Sequence, residues 1–122
     1  MSLETLIPII TDAIEGIKGQ NITVIDVKDQ TNIADGFIIA TATSNRQLNA
    51  IANHVVEKVK EAGFKPLGIE AEPNAEWVLV DLNDIIVHLM LPSAREFYDL
   101  ESLWQHSSKA RSQNEEKDPL EP

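Results

Sequence analysis

The stretch AEWVLVDLNDIIVHLM, residues 75–90, decides how this chain reads. Two apolar runs flank Asn83-Asp84, and Asn and Asp accept the positive φ angles that a two-residue hairpin turn demands. A turn there pairs Leu82 with Ile85, Val80 with Val87, and Val78 with Leu89. Side chains alternate along a strand, so those six aliphatics share one face. Trp77, Leu79, Asp81, Ile86, His88 and Met90 share the other. The first set has no polar side-chain atom. Burial is worth roughly 1.5–3 kcal/mol per aliphatic side chain, so this face predicts a core under helices and fixes the strand register. The second set mixes aromatic, soft apolar and polar groups. It reads as a recognition surface, where Trp anchors and Met adapts. It reads equally as a second core layer, with Trp77 and Met90 covered and His88 satisfied internally.

Downstream of the hairpin, Ser93 and Glu96 have capping-box spacing after Pro92. They predict a short final helix with Phe97, Leu100 and Trp104 on one side and Tyr98 elsewhere. From Gln105 onward apolar residues nearly vanish, which predicts a disordered polar tail over 105–122 behind a single domain over 1–104.

Upstream, Leu6, Ile7, Ile10, Ile14 and Ile17 recur at helical spacing and predict a helix over 5–17, with Thr5 as cap and Pro8 in the first turn. Ile22–Val27 and Gly36–Ala42 read as strands. Ser44 and Gln47 form a capping box ahead of the stripe Leu48, Ile51, Ala52, Val55, Val59 and Ala62, and Gly63 suits a left-handed stop. The succession of strand 36–42, helix 45–62 and strand 67–71 suggests a right-handed parallel crossover. The result is a mixed α/β fold with about five strands and helices packed on the sheet.

The chemistry-bearing residues are sparse. With no cysteine there is no disulfide, thiolate zinc site or cysteine nucleophile. His54, His88 and His106 fall on a helix, a strand and the tail, without ligand spacing. No phosphate loop, dinucleotide fingerprint or nucleophile elbow occurs. Asp81 with Asp84, and Asp26 with Asp35, could hold a cation, but carboxylates beside turns ordinarily serve the turn. No cofactor or metal is expected, and no catalysis.

Net charge is −10 and unevenly spread. Residues 66–104 carry eight acids against one base, Arg95. Such a surface repels phosphate, which argues against direct nucleic-acid binding. It would attract a basic partner, or merely keep the chain soluble. The N-terminus lacks a secretory pattern and no apolar run reaches roughly 20 residues, so the reading is cytoplasmic with no membrane association.

The run IADGFIIATATS (33–44), the helix NRQLNAIANHVVEKVKEAG (45–63), PLGIEAE (66–72), and the motifs W-x-x-x-D, V-H-x-M and R-x-F-Y-D-L-E-x-L-W resemble the ribosomal silencing factor (Iojap-like) family. The resemblance covers about residues 5–104. Gly36 stands where that family often has Tyr, and Ala42, Ala71 and Asn83 stand for glycines. The resemblance implies a nucleotidyltransferase-like mixed sheet. It also implies that the catalytic apparatus is missing, since Thr43-Ser44 replaces any Gly-Ser pair and no Asp-x-Asp follows. The implied activity is docking on the large ribosomal subunit at ribosomal protein fourteen, a basic protein. The bound factor blocks joining of the small subunit and lowers translation when nutrients are short. The implied contacts are Trp77, Asp81 and His88, with Tyr98 alongside, and Met90 joins them from its place on the same hairpin face. The rival is an adaptor that pairs with a second copy away from the ribosome.

Overall fold

The computed structural model describes residues 3–72 and 74–106. In chain order it comprises α1 (Leu3–Gly16), β1 (Gln20–Asp26), β2 (Gly36–Thr41), α2 (Asn45–Glu61), β3 (Gly68–Glu70), β4 (Trp77–Asp81), β5 (Ile85–Met90), α3 (Pro92–Tyr98) and a π-helical turn, Ser102–His106. The five strands form one mixed sheet in the order β1-β2-β5-β4-β3. β2 and β5 are parallel at its centre, and every other pairing is antiparallel.

The hairpin has the register that alternation predicts: Val78 faces Leu89 and Val80 faces Val87. Leu82 N donates to Ile85 O at 2.9 Å. Asn83 holds φ 76°, the left-handed conformation the turn needs, and its N–H donates to Asp81 Oδ1 at 3.0 Å. The six aliphatics are buried. With Ile38 and Ala40 of β2 they meet Leu6, Ile10 and Ile14 of α1 and Leu48, Ile51, Val55 and Val59 of α2.

The helix ends follow their local chemistry. Gln47 N donates to Ser44 Oγ at 3.1 Å, as the cap predicts. The Gln47 side chain reaches one residue further back, accepting from Thr43 N at 2.7 Å, and donates to Ile17 O and Lys18 O. It thereby ties the start of α2 to the end of α1. Gly63 holds φ 92°, with Gly63 N donating to Lys60 O and Phe64 N to Val59 O, both at 3.0 Å. That pair of bonds is the Schellman stop expected of a C-terminal glycine. At Gly19 a Cβ would overlap the Ile14 side chain and lie 3.0 Å from Ile14 O, so the tight α1–β1 turn requires glycine.

Four expectations are corrected. α1 includes Leu3 and carries Pro8 inside it, so Thr5 is not its cap. An interior proline costs about 3 kcal/mol. Burying Leu6, Ile10 and Ile14, each worth roughly 1.5–3 kcal/mol, outweighs that. The parallel crossover itself holds: β2 leads through α2 to a strand of the same direction, β3, which lies at the far edge beyond β5 and β4. The position beside β2 goes to β5, which is nearly all buried, whereas all three residues of β3 are exposed. At α3 the cap is Leu91, with no side-chain cap bond; Pro92 in the first turn presets the backbone instead. Finally, Asp99 (φ 50°, ψ 51°) ends α3 before the π-helical turn, so Phe97 does not share a side with Leu100 and Trp104. Gln105 and His106, assigned to the tail, belong to that turn, and residues 107–122 lie outside the described residues. Among the described residues no helix is long and apolar enough to cross a membrane.

Candidate docking face

The second face of the sheet is divided. Over β1, β2 and β5 the chain after Met90 folds back, and Ala94, Leu100 and Trp104 pack with Ile25, Phe37, Ile39 and Met90. Trp104 meets Phe37 edge-on, 5.1 Å between ring centres at 86°. Over β4 and β3 the cover thins: Tyr98 packs on Trp77, and Trp77, Leu79 and Asp81 are only partly buried.

Arg95 locks the covering segment down. Its guanidinium donates to Glu101 at 2.8 and 3.0 Å, to Thr41 Oγ1 at 2.7 Å and to Thr23 Oγ1 at 3.1 Å. Thr23 Oγ1 in turn donates to Glu101 Oε2 at 2.9 Å. The Arg95 hydrogen bond holds the Glu101 carboxyl below its ordinary range. The single base of residues 66–104 is therefore engaged internally.

This division sorts the five expected contact residues. Met90 is 0% exposed and belongs to the second core cluster, so it cannot anchor a partner. His88 is 7% exposed and likewise faces inward. Both are corrections with one cause: the covering segment turns this half of the mixed face into a core layer. Burial pushes His88 down to about 4. Its Nδ1 accepts from Trp77 Nε1–H at 3.1 Å, and its ring meets Phe37 at 4.8 Å.

The other three residues reach the surface. Trp77 is partly exposed and packs on Tyr98, 4.7 Å between ring centres at 47°. Tyr98 is exposed and meets Phe97 edge-on at 5.0 Å, and Phe97 is 80% exposed. Asp81 is partly exposed, with Oδ1 taken by the turn. Beside Trp77 lies a groove of about 240 Å³ lined by Glu70, Ala71, Glu72, Trp77 and Leu79. Glu70, Glu72, Glu76, Glu96 and Asp99 are all exposed, and residues 66–94 contain no Lys or Arg. The structure thus brings Trp77 and Tyr98 together and adds Phe97, which helical spacing had placed on the inner side, while Asp81 lies at the other end of β4. The signal for Phe97 was Asp99, a residue type that tolerates the left-handed conformation and ends the helix.

Among the described residues no group of three or more His, Asp or Glu could hold a metal ion. Asp26, like Asp81, accepts a backbone N–H two residues on, from Lys28 at 3.1 Å. These carboxylates perform turn chemistry.

Comparison with known proteins places the fold and face in context. A family model described as ribosomal silencing factor during starvation matches residues 1–122. A ribosomal silencing factor from Chromobacterium violaceum is 43% identical over 104 residues, covering 85% of this chain and 85% of that protein. A crystal structure of a protein from the same species superposes with a TM-score of 0.82 at 43% identity, covering 86% of this chain and 88% of that one. A mouse protein named for mitochondrial assembly of the ribosomal large subunit is 35% identical over 88 residues, which span 70% of this chain but only 39% of its own length. By the full-length match and the shared fold, this chain belongs to the ribosomal silencing factor family.

Proposed function

We propose that this protein binds the large ribosomal subunit through ribosomal protein fourteen and sterically blocks joining of the small subunit, repressing translation under nutrient limitation. The observation that carries the reading is the open half of the second sheet face. There Tyr98 touches both Trp77 and Phe97, with Glu70, Glu72, Glu76, Glu96 and Asp99 exposed on the same stretch of chain. Aromatic side chains are the usual anchors of an interface. A one-signed acidic rim speeds encounter with a basic protein and repels bare RNA. A standard interface takes about 800 Å² from each partner, which one open sheet face and its rim can supply. Family membership and the mouse relative's name favour the large subunit as the target. The action needs no turnover, so the protein works as a binding factor in the cytoplasm and not as an enzyme.

The test is sedimentation of the purified protein with separated ribosomal subunits. Co-migration with large subunits alone is expected. The Trp77→Ala variant should bind roughly thirtyfold more weakly, the size of a hot spot worth about 2 kcal/mol. Co-migration with neither subunit, or displacement of the protein from the large subunit by isolated ribosomal RNA, would overturn the reading.

A further inference from the structure

His88 occupies a position that a hydrocarbon could fill. It lies across from Ile39 of β2 and Leu79 of β4, with Met90 two residues along on the same face. The Phe37 ring rests on its edge. In this setting the imidazole accepts a hydrogen bond at Nδ1 from Trp77 Nε1–H. That bond fixes the tautomer of the neutral ring, because an accepting Nδ1 leaves the proton on Nε2. Nε2 is buried and meets no hydrogen-bond partner among the described residues. A buried donor left unmet weakens a fold, and an aliphatic side chain would avoid the penalty. It would also leave the Trp77 N–H without its acceptor.

Trp77 is the first residue of β4 and sits diagonally across the hairpin from His88, at a separation aromatic side chains can bridge. Its ring centre is 5.8 Å from the imidazole and 4.7 Å from Tyr98. With its polar edge tied inward, the indole offers hydrocarbon to a partner and stays packed against Tyr98. Holding an anchor in its bound orientation before encounter removes an ordering cost from binding.

We propose that His88 is a positioning residue of the docking face: without touching the partner, it holds the Trp77 indole, through the Nε1–H to Nδ1 bond, in the orientation that packs with Tyr98. The inference rests on the reading of Trp77 as a contact with the large subunit.

The experiment uses the full chain and compares the parent, His88→Leu, His88→Asn and Trp77→Ala. Solvent exchange of the Trp77 indole N–H is followed by NMR, with Trp104→Phe to assign the signal, and large-subunit affinity and melting temperature are measured on each protein. In the parent the indole N–H should exchange slowly. In His88→Leu it should exchange freely and affinity should fall five- to thirtyfold, while the melting temperature does not drop. His88→Asn places an amide oxygen near the former Nδ1, so it should restore protection and most of the affinity despite a lower melting temperature. A purely structural histidine would give the opposite pattern, with affinity following melting temperature across the series. Fast exchange in the parent overturns the proposal even if His88→Leu fails to fold. Parental affinity in His88→Leu beside a loss in Trp77→Ala overturns it while leaving the docking reading intact. Undiminished affinity in Trp77→Ala removes the docking reading and this inference together.

Discussion

The two faces of the β4–β5 hairpin obey one alternation and meet different fates. One is aliphatic throughout and sealed by α1 and α2. The other is sealed at Met90, nearly sealed at His88, and only partly buried at Trp77, Leu79 and Asp81. The difference lies in what covers each face. The covering helices of the first carry their own apolar stripes. The second is covered by residues 92–106, held through Arg95 to Thr41 and Thr23, partners 54 and 72 positions away. Alternation tells which side chains share a face, while long-range contacts tell how far along that face a cover extends.

Two adjacent residues of β5 test this most strongly. Leu89 is 1% exposed toward the helices and Met90 is 0% exposed toward the covering segment. Replacing either by Ala should cost about 2–5 kcal/mol in chemical denaturation, since both leave cavities in packed surroundings. Met90→Ala should still bind large subunits normally when assayed well below its melting temperature. A Met90→Ala protein with unchanged stability but weakened binding would put Met90 back on the docking face and erase the division.

The same contrast marks what could be read from residues alone. The hairpin register, the Ser44 cap and the Gly63 stop are all visible in the sequence, because each depends on neighbours within a few positions. The family resemblance was equally legible, and so was the grouping of Trp77 with Tyr98. The place of β3 was not, because it depends on competition between strands for the centre of the sheet. The exposure of Phe97 and the burial of Met90 both turn on the left-handed break at Asp99, which redirects the chain after α3. A helical wheel drawn straight through residue 99 merges Phe97 with Leu100 and Trp104, and no spacing rule signals otherwise.

Acid should sharpen the distinction on the buried side. Burial holds His88 at about 4, against an ordinary value of 6.5. Above pH 6.5 neither folded nor unfolded chain protonates it. As pH falls from 6.5 toward 4, the unfolded chain takes up a proton that the folded chain refuses, so stability falls across that window and levels off below it. At 1.36 kcal/mol per unit the full loss approaches about 3 kcal/mol. Glu101 has a lowered value, so its stabilisation is present above its ordinary 4.5 and disappears as pH falls through its folded value. Denaturation between pH 6.5 and 4.5 therefore isolates the histidine. The parent should lose stability there and His88→Leu should lose about 2 kcal/mol less; equal slopes would mean that water reaches the imidazole.

The smallest effect on folding should come from Phe97, and that is its value. The ring is 80% exposed and touches Tyr98 edge-on. Phe97→Ala gives up almost no buried area, and exposed substitutions of this kind stay within about 0.5 kcal/mol. An aromatic left this open among the described residues is hydrophobic surface that a partner can bury. If the docking face includes it, large-subunit affinity should drop several-fold with no change in melting temperature. That combination is out of reach for Trp77, whose hydrogen bond to His88 couples it to the core. Unchanged affinity in Phe97→Ala would confine the docking face to Trp77, Tyr98 and the acidic groove beside them, on the sheet side of α3.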